Sequence, residues 1–135
     1  MRFARTVFLI AGVWGITVLT PLYWLRDVTG RAYSVPTESP QFFYGFFAVA
    51  LTWQLAFLAI AWNPARLRPL MILGIIEKIS YVVTLAVLYQ QARISVDDAL
   101  AAVPDLLLGL LFVIAFVKTR PAPVAAPAPA ATPSL

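Results

Sequence analysis

Apolar residues occupy this chain in four long runs: about Thr6 to Leu25, Gln41 to Trp62, Pro69 to Tyr89 and Ala99 to Val117. Each is close to the roughly 20 residues that a helix needs to cross about 30 Å of hydrocarbon. The runs are continuous rather than alternating, which favours helices over the strands of a β-barrel. Open strands would leave backbone N–H and C=O groups without partners in lipid. The pattern therefore predicts an all-α, integral membrane four-helix bundle over residues 1–120.

The ends of the runs carry their own signals. Ser39-Pro40 reads as an N-cap followed by Pro at the first helical position. Ser95-Val96-Asp97-Asp98 has the spacing of a capping box before the fourth run. Asn63-Pro64 ends the second run and Pro69 opens the third, while Pro21 is expected to kink or end the first. The segment Arg26–Ser39 is the longest connection and is expected to lie along the surface. Pro121–Leu135 is rich in Pro and Ala, carries no charged side chain and is expected to form an extended, disordered tail.

Composition agrees with lipid as the solvent. Of the 135 residues 61% are hydrophobic and 12% charged, with a mean hydropathy of +0.86; soluble domains carry about 25% charge. The chain has no Cys and no His. It therefore lacks disulfides, a thiolate nucleophile and the commonest general base and metal ligand. No cofactor or metal is expected, and proton chemistry falls to carboxylates, Lys or Tyr. The net charge of +4 is read as Lys and Arg at the inner ends of the spans, not as a nucleic-acid surface.

Those positive charges set the expected orientation. With the N-terminus inside, Arg2, Arg5, Arg66, Arg68, Lys118 and Arg120 fall on the inside and Arg26, Arg31 and Arg93 outside. Both termini are then expected in the cytoplasm, and the first run is expected to be an uncleaved anchor, not a signal peptide. Tyr23, Trp24, Phe42, Phe43, Tyr44 and Tyr89 would form an outer aromatic belt, with Trp62 at the inner surface.

Glu77 and Lys78 interrupt the third run. Counted from Pro69 they lie roughly 12–14 Å deep at 1.5 Å per residue. Two charges there cost roughly 5–7 kcal/mol, while the Leu, Ile and Val residues of the span return about 3–7 kcal/mol. The helix is marginal alone and needs partners. Glu77 shares a face with Gly74, Tyr81 and Thr84, and is expected to point into the bundle. Lys78 lies nearer Met71, Val82 and Leu85; it either bends toward a second carboxylate or snorkels to the surface. Depth counting adds Trp14, Thr17 and Gln54 at this level, and places Asp105 roughly two turns further out with Tyr81 between. The candidate polar site is thus Glu77, Lys78, Asp105, Tyr81, Gln54, Trp14 and Thr17. It reads equally as a pocket or proton path and as an ionic network pinning the helices. Gly109 and Ala115 would permit close helix contact, although no Gly-xxx-Gly pair is evident.

Asn63-Pro64-Ala65-Arg66-Leu67-Arg68-Pro69-Leu70, then Glu77-Lys78, then Asp105-Leu106-Leu107 followed by Phe112, resembles a pattern in small, functionally uncharacterised bacterial inner-membrane proteins of the DoxX-like or BphX-like sort. The resemblance covers the second to fourth spans and implies an inner-membrane four-helix bundle with no catalytic residues to transfer. DoxX-like proteins are linked to quinone or sulfur redox chemistry, against which the absence of Cys argues.

Three functions compete. The first is an accessory or structural membrane protein, either a homo-oligomer or a subunit bound to a membrane-protein partner. The second is a binder of, or enzyme acting on, a lipid-like molecule at Glu77. The third is a small proton-coupled exporter; small four-helix transporters use an acid in the first helix, where this chain has none.

Overall fold

A computed structural model describes residues 1–25 and 39–120. The expectations for the surface loop at Arg26–Ser39 (Ser39 apart) and for the Pro121–Leu135 tail lie outside the described residues. The described chain is helical, with α1 (Arg2–Trp24), α2 (Pro40–Trp62), α3 (Arg68–Gln90), the short α4 (Val96–Leu100) and α5 (Ala102–Lys118). Residues 96–118 act together as the fourth span, so four helices are long and apolar enough to cross a membrane.

The local signals account for most boundaries. Pro40 sits at the start of α2, but Ser39 occupies the N-cap without a side-chain cap bond; its carbonyl accepts from Phe42 N at 3.1 Å. The capping box forms: Asp98 N donates to Ser95 Oγ at 3.1 Å and Ser95 N donates to Asp98 Oδ2 at 3.3 Å. Asn63 caps the C-terminus of α2. Pro21 falls in the last turn of α1, which runs past it and ends at Trp24. The break between α4 and α5 has a direct cause. Pro104 has no N–H to offer the Leu100 carbonyl four residues back, and its ring crowds that carbonyl.

The helices pack as two antiparallel hairpins. α1 lies most extensively against α2, and α3 against α5; α1–α5 and α2–α3 contacts close the bundle. The core is a cluster to which all four spans contribute. Phe8, Phe57 and Phe112 are fully buried, with Phe8 and Phe112 stacked at 4.2 Å and Phe57 edge-on to Phe112 at 4.9 Å. Ala4, Ala11, Ile60, Met71 and Ala115 fill the spaces around them. α3 enters through Gly74, where a Cβ would lie 3.1 Å from the Phe57 ring. α1 approaches α2 through Gly12 and Gly15, which lie against Leu58 and the Gln54 side chain. The outward faces carry large apolar residues such as Leu9, Ile10, Val49, Leu55, Ile76, Val83 and Leu110, a surface that fits a membrane-spanning bundle.

Arginines tie both hairpins at the end where residues 1–5 and 116–119 meet. Arg5 Nε donates to Ala61 O at 3.2 Å and its Nη2 to Trp62 O at 3.1 Å. Arg68 Nε donates to Thr119 O at 2.8 Å, and its guanidinium stacks 3.7 Å from the Phe116 ring centre. Each arginine sits near the start of one helix and satisfies carbonyls at the end of its antiparallel neighbour. At the opposite end Tyr23, Trp24 and Tyr44 cluster. Phe43 is a correction to the expected aromatic belt: it is buried against Phe47.

α3 ends in a Schellman motif, with Ala92 N donating to Tyr89 O at 2.9 Å and Arg93 N to Leu88 O at 3.0 Å. Ala92 holds the left-handed position, with φ 54°, where a Cβ is unfavourable. Ala92→Gly is expected to stabilise the protein by about 0.5–1 kcal/mol in detergent unfolding. For helices placed in lipid, burial would not remove apolar surface from water, so the cavity term would dominate the loss at a trimmed core position. Phe112→Ala is expected to cost about 2 kcal/mol by the same assay, and Leu110→Ala, on the exposed face, close to nothing. Equal effects at the two positions would contradict the central cluster.

Candidate functional site

One turn beyond Gly74, the buried stripe of α3 continues to Lys78: Met71, Gly74 and Lys78 are the buried residues of this helix. Space for the lysine stem comes from α5, where a Cβ on Gly109 would lie 3.3 Å from Lys78 Cβ. The stem runs outward to a carboxylate one turn before that glycine. Lys78 Nζ forms an ion pair with Asp105 Oδ1 across the α3–α5 interface. It also lies 3.2 Å from Glu77 Oε2 and donates to Glu77 Oε1 at 3.4 Å. The Phe57 ring of α2 closes the other side, 5.4 Å from the ammonium. One cation is thus held by two carboxylates and an aromatic face from three helices.

Of the two neighbours, Lys78 is the more deeply buried. Lys78 is 6% exposed, whereas the Glu77 side chain is 24% exposed. The hydroxyls of the Glu77 face supply themselves. Thr84 Oγ1 donates to Ser80 O at 2.8 Å and Ser80 Oγ to Glu77 O at 2.9 Å, and both residues are exposed. A hydroxyl bonded to its own helix can face lipid at little cost. Of the two fates considered for Lys78, bending toward a second carboxylate is the one observed. Glu77 Oε2 is a buried atom with no hydrogen bond of acceptable geometry.

Asp105 lies within direct reach of Lys78, not two turns beyond Glu77. The fourth span begins at Val96, three residues before the expected start, which lowers Asp105 by about 4.5 Å. Tyr81 is half-buried and makes no hydrogen bond among the described residues; the direct Lys78–Asp105 contact leaves no gap for it to bridge. Gln54 is buried, but it faces α1: its Nε2 donates to Ala50 O at 3.0 Å and its side chain fills the space beside Gly15. Trp14 is 57% exposed and Thr17 is exposed, with Thr17 Oγ1 donating to Val13 O at 2.9 Å. Both side chains face outward, away from the expected polar site. The structure therefore assembles Glu77, Lys78 and Asp105, leaves Tyr81 and Gln54 beside them, and turns Trp14 and Thr17 outward.

Phe57, under the ammonium, is not among the residues of the expected polar site. The signal was its position three residues after Gln54, on the face that the Gly74 stripe approaches. Burial ends at the level of this cluster. Further from the termini, only Phe43 and Phe47 are buried among the described residues.

Fold and site together define an all-helical protein with four helices able to span a membrane and an ionic cluster joining the third to the fourth. No protein-family model matches the chain, and neither a curated protein nor a solved structure matches it.

Lys78→Met should cost about 3–5 kcal/mol, because it leaves two carboxylates side by side without their cation. Adding Glu77→Gln and Asp105→Asn should recover most of that loss. Unfolding of the single and triple variants in detergent checks both, and a triple variant no more stable than Lys78→Met would refute the network.

Proposed function

We propose that this chain is an accessory or structural integral membrane protein, a homo-oligomer or a complex subunit, in which the Glu77–Lys78–Asp105 cluster holds the helices in register. The observation that carries this reading is that Lys78 finds its full complement of counter-charge within the chain. No external anion is needed to neutralise it, and the space below it is filled by Phe57 and Phe112. The likeness to DoxX-like or BphX-like proteins belongs to the same reading. So does a bacterial inner-membrane location with both termini in the cytoplasm, which the six cations gathered at the terminal end support.

A second reading draws on a different observation. The packed core stops at the cluster, so a lipid-like molecule entering between the hairpins from the far side would meet the half-exposed carboxylates of Glu77 and Asp105. Native mass spectrometry of the full chain released from lipid nanodiscs separates the two. The structural reading expects a defined oligomer or a copurifying membrane protein, with the same adducts in wild type and Glu77→Gln. A small-molecule mass retained by wild type and lost in Glu77→Gln would replace it with the second.

A further inference from the structure

A cavity of about 480 Å³ opens at the terminal end of the bundle, between the start of α1 and the turn joining α2 to α3. Arg2, Arg5, Trp62 and Asn63 line it, and none of these is a residue of the Lys78 cluster. Arg5 is fixed in its wall by the two hydrogen bonds to the end of α2, which use two of the five guanidinium donors. The Arg2 side chain has no hydrogen bond or ion pair among the described residues. Asn63 Oδ1 accepts from Arg66 N at 3.2 Å, which leaves the amide donors of its side chain unspent. Trp62 is 84% exposed, at the end of a span, where an indole sits among headgroups. No acid balances these groups: every Asp and Glu of the described residues lies at Glu77 or further from this end.

A concave site with two guanidiniums, an amide and an indole selects a phosphate oxyanion. Its depth selects the source. It opens where the apolar spans end, at the level of phospholipid phosphates and not in bulk water. We propose that this cavity binds the headgroup phosphate of an anionic phospholipid, with Arg5 as the fixed donor and Arg2 as the arm that closes on it. The inference is independent of whether the Lys78 cluster is structural or binds a ligand.

The test uses the full chain in nanodiscs containing equal amounts of phosphatidylglycerol and phosphatidylcholine, followed by native mass spectrometry. Wild type should keep phosphatidylglycerol over phosphatidylcholine by at least about fivefold, the scale of one surface cation near an anionic lipid. Arg2→Gln should lose that preference by about the same factor, while Arg2→Lys retains it. Arg93→Gln, at the opposite end, and Glu77→Gln should leave it unchanged. The proposal is overturned by equal retention of both lipids, by an equal loss in Arg93→Gln, or by Arg2→Lys behaving like Arg2→Gln. Displacement of the bound lipid by excess inorganic phosphate would also overturn it, in favour of a site for the soluble anion.

Discussion

In a bundle of four helices long and apolar enough to cross a membrane, an ammonium group at mid-helix must find counter-charge within its own chain or among its neighbours, and the position of Lys78 imposes that requirement on the whole bundle. On its own such a charge costs about 2.5–3.5 kcal/mol at a helix centre. Here it is met by one carboxylate on the same helix and one on the next span. The Asp105 contact can form only if α3 and α5 are adjacent, antiparallel and in a single register. Gly109 lets the lysine stem lie flat between them. Sliding α5 by one turn would separate the ammonium from Asp105 and place a larger side chain against the stem. The cluster thus selects one register among several that apolar packing alone would tolerate.

Apolar packing is undemanding in lipid because a leucine gains little by leaving hydrocarbon for a protein interior. What distinguishes the inside of this bundle is shape. Three phenylalanines from α1, α2 and α5 meet at one point, and α3 reaches them only because position 74 has no side chain. Gly12 and Gly15 serve the same purpose between α1 and α2, against Leu58 and Gln54. All the glycines in close contact lie in the packed half, at or below the level of the ion cluster. Beyond it the hairpins have few buried side chains to hold them together, so the cluster is both the upper boundary of the core and its last cross-link. The charge count is also uneven. Two carboxylates face one ammonium at the place where packing stops.

The number of helices, their limits and their caps were legible because each depends on neighbours in sequence: runs of apolar residues, Ser95 with Asp98, Pro before or after a span. The depth of a polar residue was legible only as far as the start of its span was: Asp105 was placed too far out because the fourth span begins at Val96 and not at Ala99. The azimuth was not legible. Trp14 and Thr17 face outward. Lys78 is buried more deeply than Glu77, although Thr84 and Tyr81 make the Glu77 face the more polar; the Thr84 hydroxyl bonds a carbonyl of its own helix. The better guide was the spacing of Met71 and Gly74, which continues to Lys78. Gly12 and Gly15 were missed for a related reason. They are three residues apart, so a search for a four-residue repeat passes over them. The joining of Lys78 to Asp105 depends on a partner far along the chain, which no local pattern reveals.

The arginines at the terminal end connect topology with stability. Positive residues beside a span bias which end stays in the cytoplasm, and a flexible lysine would do this as well as an arginine. Arg5 does more, because its planar fork reaches two consecutive carbonyls at the end of α2 that would otherwise have no partner at a helix terminus. Arg68 does the same for the end of α5 while lying flat on Phe116, a contact that a compact ammonium makes less well. These bonds join each odd-numbered span to the span that follows it, at the end where the aromatic core lies, so each hairpin is closed at its base. The ion cluster then joins α3 to α5 half-way up. The bundle is fastened at its base and middle by charge-assisted contacts, and the aromatic cluster fills the volume between them.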